Sequence, residues 1–269
     1  MQRREFLAAA ATTAAAGLLA GRVSAAADAP ISGREIYDLR TYHFATAAKM
    51  EAFEKFLAEA AIPACNRAGI EPVGVFKRLA KDNAAAKLET DPAELWVLLP
   101  HHSLESVITL EDRLSADAAF QKAGEAVLTA TKADPAFARY ENMLLLAMEK
   151  APKLTVPSKA AGRLFELRTY ESRSQERAKN KLEMFNAGEF AFFEQAGMHG
   201  VFYGGAFAGS DLPQLTYMIV HENENDVKKH WSNFSAIPGW NTLKAGPSYK
   251  DNVSKIIDRF LRPAAGSQI

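Results

Sequence analysis

The strongest constraint on the fold of this 269-residue chain is a short sequence that occurs twice. The string Leu-Arg-Thr-Tyr at residues 39–42 returns at residues 167–170, 128 positions later. Further along the chain the spacing falls to 120, and residues 95–99 then correspond to residues 215–219. The change of eight indicates a loop insertion in the first copy, near residues 80–93. Because self-similarity at a fixed spacing is the mark of a repeated structural unit, we read the chain as two copies of one unit.

Each copy shows the same order of predicted elements. Period-two alternation with β-branched and aromatic residues predicts strands, and apolar residues at three- and four-residue steps predict helices. In the first copy the predicted strands lie at 36–43, 73–79, 94–100 and 139–148, with helices over 50–64 and after Ser103. In the second they lie at 164–170, 200–207, 214–221 and 252–261, with helices over 175–195 and after Asn223. Glu189 interrupts the apolar stripe of the helix at 175–195.

This order, β-α-β-β-α-β, is that of the ferredoxin-like unit. The predicted fold class is therefore α+β, with two such units fused in tandem over residues 34–150 and 162–263. Residues 151–161 contain two prolines and no apolar period, which predicts a linker.

The first strands, with the pattern acid-x-Arg-x-Tyr, and the Ala-Gly pairs that end the following helices resemble the NIPSNAP family. The resemblance covers nearly all of the chain after residue 33. It implies a dimeric α/β barrel, here a pseudo-dimer within one chain, in which two ferredoxin-like sheets enclose a lumen. It implies no settled enzymatic role. One departure concerns an Arg and a Trp near the second helix of many relatives, since Arg113 corresponds here to Asn233 and Trp231 occurs in the second copy alone.

The two faces of each first strand differ in polarity. One face carries Tyr37, Leu39 and Thr41, or Phe165, Leu167 and Thr169 in the second copy, and we expect this more apolar face to pack on the helices. The other face would line the lumen as a ligand-binding surface, formed by Asp38, Arg40, Tyr42, Glu166, Arg168 and Tyr170. An arginine there could hold an anionic or enolate-like ligand, with tyrosine as a donor. Alternatively, the acids and arginines form ion pairs that only stabilise the barrel.

Histidines end the third strand of each copy, at His101 and His221. Each could transfer a proton at a barrel mouth, or be a surface residue that opens the next helix. His221, Arg40, Tyr42, Arg168 and Tyr170 are the catalytic candidates. The sequence shows no metal-ligand spacing, phosphate loop or dinucleotide fingerprint, and therefore indicates no cofactor. Cys65, the single cysteine, is expected to be a buried structural thiol.

The N-terminus has the composition of an export signal. Arg3-Arg4-Glu5-Phe6-Leu7 precedes an alanine-rich apolar run and a small-residue cleavage site, which resembles a twin-arginine signal over residues 1–27. A membrane anchor is the alternative, but about fifteen apolar residues are short for the ~20 that span a bilayer. We therefore expect a periplasmic or secreted protein.

Charge and motifs together limit the functions that fit the chain. The formal net charge is +0, and loss of residues 1–27 removes three arginines and one glutamate, so no nucleic acid or anionic membrane is indicated as a partner. A homodimer is compatible with the sequence. The leading expectation is a small-molecule binder of uncharacterised biochemistry. Its alternatives are a cofactor-independent oxygenase or isomerase, and a structural scaffold with a filled barrel.

Overall fold

Eight antiparallel strands close into a barrel in the computed structural model, which describes residues 33–269. The strands of the first unit are β1 (Ile36–His43), β2 (Gly74–Arg78), β3 (Glu94–His101) and β4 (Arg139–Ala147). Those of the second are β5 (Leu164–Glu171), β6 (His199–Ala208), β7 (Gln214–His221) and β8 (Lys255–Pro263). Their order around the barrel is β1-β3-β2-β8-β5-β7-β6-β4. Pairing of β2 with β8 and of β4 with β6 joins the two units, and the predicted fold class is confirmed.

The helices lie outside the barrel, on the sheet of their own unit. In the first unit they are α1 (Ala47–Phe56), α2 (Ile62–Arg67), α3 (Leu104–Ile108), α4 (Leu110–Ser115) and α5 (Ala118–Leu128). In the second they are α6 (Gln175–Met184), α7 (Phe190–Ala196), α8 (Asp226–Ala236) and α9 (Pro238–Ala245). No helix among residues 33–269 is both long and apolar enough to cross a membrane. The predicted export signal, residues 1–27, lies outside the described residues.

Local sequence explains where the long helices begin and end. Thr46 and Ser174 accept hydrogen bonds from the backbone N–H groups of Lys49 and Arg177, which caps α1 and α6. Gly197 follows α7 with φ +90°, a conformation that glycine adopts without a steric penalty. In both units a π-helical turn interrupts the helix, at Leu57–Ala61 and at Phe185–Glu189, again 128 residues apart. The duplication therefore extends to an irregularity of the backbone.

The barrel interior is apolar and closely packed. Tyr37 lies against Phe202 with ring centroids 5.0 Å apart, and Phe76 against Phe165 at 4.9 Å, so side chains of the two units meet across the lumen. Leu39 and Leu167 belong to the same buried cluster. A polar recess of about 160 Å³, lined by residues such as Thr216 and Arg259, lies at one mouth of the barrel.

The prediction of which face of each first strand lines the lumen was wrong. The polar side chains face outward, toward the helices, where Tyr42 packs on Phe53 of α1 and Trp231 of α8 donates to Glu166. An eight-stranded barrel has an interior just wide enough for its own side chains, and charges there would lose their water without gaining partners. The helix layers supply those partners. This reversal applies to the whole polar face, that is, to Asp38, Arg40, Tyr42, Glu166, Arg168 and Tyr170.

Candidate functional site

A cavity of about 530 Å³ lies between the sheet and the helices of the first unit. Its walls are mostly apolar and come from every layer of the unit, including Leu57 in the π-helical turn, Cys65 in α2, Val97 in β3 and Phe120 in α5. The segment between α5 and β4 borders it through exposed residues such as Lys132 and Pro135. The volume is within the range of pockets that hold small molecules.

Arg40 supplies the main polar group of this cavity. Its Nε donates to Asp38 at 2.8 Å, and its Nη1 reaches Glu111 at 3.2 Å and the Tyr42 hydroxyl at 3.5 Å. Nη2 makes no hydrogen bond to any group of residues 33–269. Burial acts to lower the pKa of Arg40, but the Asp38 carboxylate and Tyr42 outweigh burial and raise it. The guanidinium therefore stays charged and keeps donors for a further acceptor.

Tyr42 and its neighbours form an aromatic wall beside Arg40. The Tyr42 ring stacks on Tyr140 at a centroid distance of 5.0 Å and meets Phe137 edge-on at 5.3 Å. Burial raises the pKa of Tyr42, so its hydroxyl keeps its proton at neutral pH. Burial likewise raises the pKa of Cys65 to about 11, which makes that thiol a poor nucleophile. The expectation of a buried thiol is confirmed.

The corresponding space in the second unit is filled by aromatic rings. At the observed spacings Val97 corresponds to Tyr217, Cys65 to Phe193 and Leu57 to Phe185. These three rings are fully buried and pack on one another at 5.3 to 6.1 Å. The Tyr217 hydroxyl lies 2.8 Å from that of Tyr170. Small side chains in one copy and large ones in the other thus leave this space open in the first unit and fill it in the second.

The polar face of β5 forms a closed network instead. Glu166 accepts hydrogen bonds from Trp231 at 2.8 Å and from Arg168 at 2.6 Å, and lies 3.0 Å from His221 Nε2. Burial acts to raise the pKa of Glu166, but His221, Arg168 and Trp231 outweigh it and lower that pKa. Asp258 forms a second ion pair with Arg168, in which Oδ2 and Nη1 are 2.6 Å apart. Here the alternative of ion pairs that stabilise the barrel describes the contacts well.

The equivalent network in the first unit is incomplete. Asp38 is one methylene shorter than Glu166, and its Oδ1 is unpartnered among residues 33–269. His101, the counterpart of His221, has an unpartnered Nε2, although its Nδ1 lies 3.0 Å from the Ser106 hydroxyl. Both residues are buried. The interpretation of His101 and His221 as surface histidines is therefore wrong, since both are fully buried beneath the helices.

Protonation of His101 should control acid stability. Burial lowers its pKa to about 4, although Asp38 opposes this; Arg40 and Arg113 also face it and favour the neutral ring. The unfolded state, with a pKa near ~6.5, takes up a proton first, so this contribution is fully present above about pH 6.5 and is lost as the pH falls toward 4. We expect urea unfolding of the wild type to lose about 2–3 kcal/mol more than His101→Asn between pH 7.5 and 4.5. Equal losses would show that His101 does not govern this range.

The structure thus separates the predicted site residues into two groups, one per unit. Arg40 and Tyr42 line the cavity of the first unit, with Asp38 as the ion-pair partner of Arg40. Arg168, Tyr170, Glu166 and His221 lie in the second unit, where the equivalent space is filled. Whether any of them is catalytic stays a prediction. Sequence reasoning missed the lining residues Val97, Cys65 and Leu57, which carry no chemical motif. Comparison of the two copies position by position could have found them, because each is replaced by a ring.

A second feature that the sequence reasoning missed is a buried ion pair, Lys181–Glu189, with Nζ and Oε2 2.6 Å apart. The sequence did contain one sign of this pair, because Glu189 is the acid that interrupts the apolar stripe of its helix. Among residues 33–269, no group of three or more His, Cys, Asp or Glu side chains is arranged to hold a metal ion.

Solved structures share the whole architecture at low sequence identity. A proposed monooxygenase from Lactobacillus acidophilus NCFM aligns over 86% of this chain and 94% of its own, with a TM-score of 0.52 and 9% identity. Another, from Fusobacterium nucleatum, aligns over 86% and 93%, with a TM-score of 0.53 and 7% identity. At these identities the likeness shows the fold alone, a tandem dimeric α/β barrel.

Other comparisons concern a single unit. An uncharacterised NIPSNAP-like domain protein from Burkholderia xenovorans aligns over 40% of this chain and 91% of its own, with 17% identity and a TM-score of 0.37. No functionally curated protein matches the sequence. The NIPSNAP family model matches residues 165–268, which span β5 to β8 and their helices. The resemblance seen in the repeated first strands is therefore confirmed, and the second βαββαβ unit of this chain is a NIPSNAP-family domain.

Proposed function

We propose that this protein binds a small, largely apolar molecule in the cavity between the sheet and helices of its first unit. The observation that carries the proposal is the contrast between the units: the same backbone is filled by Tyr217, Phe193 and Phe185 in one copy and left open in the other. Packing a core of this fold therefore does not require a cavity of 530 Å³. The export signal predicted for residues 1–27 would place this site outside the cytoplasm.

The charges around Arg40 limit the polar end of the ligand. Asp38 and Glu111 both contact the guanidinium, so the three side chains together carry one negative charge. A second anion would add repulsion in a buried setting, where charges are poorly screened. A neutral acceptor, such as a carbonyl or phenol oxygen, could instead accept from Arg40 Nη2. The ligand class that fits is an apolar, ring-containing molecule with one carbonyl or hydroxyl group.

A probe of this class gives a direct test. Prodan is a neutral naphthyl ketone whose fluorescence shifts to the blue in apolar surroundings. We expect it to bind the wild type, and Arg40→Lys to weaken binding about tenfold, because lysine keeps a cation beside Asp38 but loses the fork that can donate to two partners. Arg168→Lys, the same change in the filled unit, should leave the affinity unaltered. Equal affinities for the wild type and Arg40→Lys would remove Arg40 from the site.

A cofactor-independent oxygenase or isomerase is the second candidate. It is favoured by the position of Arg40, which could stabilise an oxyanion formed from a bound phenol or enol inside a largely apolar cavity. Two proteins of similar fold are described as proposed monooxygenases. Since fold does not imply function, this candidate depends on the Arg40 geometry alone.

A further inference from the structure

The second unit contains a lysine and a glutamate buried together beside aromatic rings. Lys181 lies on α6 and Glu189 ends the π-helical turn, with Nζ and Oε2 2.6 Å apart. Their side chains are 5% and 2% exposed. The ammonium position is 4.7 Å from the ring centroid of Phe185 and 5.7 Å from that of Trp240. Few lysines in proteins are this far from water.

The fold itself does not need this pair. At the 128-residue spacing, Lys181 corresponds to Phe53 and Glu189 to Ala61, both apolar residues in the first unit. Burying an ion pair is often less stabilising than apolar packing of similar volume, because both charges lose their hydration. Stability alone therefore does not explain why two opposite charges, rather than two apolar side chains, occupy these contacting positions. π-Helical turns, such as the one that carries Glu189, are frequent at functional sites.

A small cavity gives access to the amine. It has a volume of about 210 Å³ and is lined by Lys181, Glu189, Tyr170, Trp231 and Trp240, with the exposed Lys244 also in its wall. A compact, apolar molecule could therefore reach Nζ from solvent. The aromatic lining favours a planar or hydrocarbon body over a charged one.

The charge states of the pair also suit reactivity. Burial lowers the pKa of Lys181, and Glu189 only partly opposes this. Burial raises the pKa of Glu189, against the effect of Lys181. Both shifts raise the share of Lys181 that is a free amine and of Glu189 that is a carboxylic acid, relative to the same groups in water. An unprotonated amine is the nucleophilic form of lysine.

We propose that Lys181 and Glu189 form a second site, one that captures a small apolar aldehyde or ketone as a Schiff base on Lys181. The Nζ lone pair adds to the carbonyl carbon while the carbonyl π electrons move to oxygen, and proton transfer from nitrogen to oxygen gives a neutral carbinolamine. Glu189 then protonates the hydroxyl, which leaves as water, and the nitrogen lone pair forms the C=N bond. The product is an iminium ion with the Glu189 carboxylate as its counterion, and no atom changes its oxidation state overall.

Reductive trapping tests this site on the full wild-type chain. The protein is incubated with benzaldehyde and sodium cyanoborohydride at pH 7, and benzylated lysines are located by peptide mass spectrometry. We expect Lys181 to be modified faster than Lys55, which is 72% exposed, because burial lowers the pKa of Lys181 and thereby raises its free-amine fraction at pH 7. Modification of Lys55 and Lys244 without Lys181 would overturn the proposal.

Two variants extend the test. Glu189→Gln keeps the size of the side chain but removes the acid, and we expect it to slow trapping at Lys181 several-fold while Lys55 is unaffected. An unchanged Lys181 rate would exclude Glu189 as the proton donor. Val97→Tyr, which fills the cavity of the first unit, should leave Lys181 trapping unchanged, and a parallel loss would overturn a separate site. The two proposals can therefore fail independently.

Discussion

Val97→Tyr is expected to abolish prodan binding, lowering the affinity more than about 100-fold, while the protein stays folded. The substitution copies the filled unit, in which Tyr217 occupies the corresponding position and its hydroxyl lies 2.8 Å from that of Tyr170. In the first unit the new hydroxyl would meet Tyr42, the counterpart of Tyr170. Cavity-filling substitutions commonly add about 0.5–2 kcal/mol of stability. We therefore expect the midpoint of thermal unfolding to stay or rise as the fluorescence response disappears.

The reciprocal substitution is the matched control. Tyr217→Val opens a cavity in the second unit and should cost about 3 kcal/mol of unfolding free energy, since large-to-small changes in a core cost about 2–5 kcal/mol. It should leave prodan affinity unchanged, because the first unit is untouched. If Val97→Tyr folded normally and bound prodan as the wild type does, the ligand site would not be this cavity.

Removal of one partner of the buried ion pair has the second large effect. Lys181→Met is expected to lower the free energy of unfolding at pH 7.5 by about 3–5 kcal/mol, because Glu189 would remain buried without a cation. Lowering the pH toward 4.5 should recover part of this loss. The folded state, in which the pKa of Glu189 is raised, then binds a proton that the unfolded chain, with a pKa near ~4.3, binds more weakly. Urea unfolding at both pH values measures the difference.

A double substitution separates a role in stability from a role in chemistry. Lys181→Met with Glu189→Leu replaces both ions by apolar side chains of similar volume. The first unit also has apolar residues, Phe53 and Ala61, at these two positions. We expect the double variant to be within about 1 kcal/mol of the wild type, or more stable, because no buried charge remains. A double variant as unstable as Lys181→Met would mean that the ion pair itself stabilises the unit. Its presence would then need no chemical role to explain it.

Much of the architecture follows from local sequence. The period of two in β1 and β5, the apolar stripes of the helices and the caps at Thr46 and Ser174 act within one element, so the sequence predicts each element without its neighbours. The repeat spacing then supplies the order βαββαβ twice. The same local rules, however, say that a strand has two faces without saying which face the barrel encloses. For that reason the prediction that the side chains of Asp38, Arg40 and Tyr42 point into the lumen was wrong.

The candidate site depends on contacts between elements distant in sequence. Arg40 gained its partner Glu111 from α4, 71 residues away, and the ring of Tyr42 gained Tyr140 from β4. The volume of the side chains matters as much as their charge. Val97 stands where the second unit has a tyrosine, and the space that this leaves is not marked by any sequence motif. The polar residues could be identified from the sequence, but the cavity beside them could not.

By itself the sequence determined a duplicated α+β unit and the family of its second copy, because element order and strand signature are encoded in short range. Only the tertiary structure decided in which unit the space beside the first strand is open, and which side of each sheet carries the charged groups. The physical reason is packing: an eight-stranded lumen is filled by its own apolar side chains, so long polar residues find space and partners under the helices. There the difference between small side chains and rings at a few paired positions leaves a cavity of about 530 Å³ in the first unit and fills the equivalent space in the second, where a smaller cavity lies beside the buried Lys181.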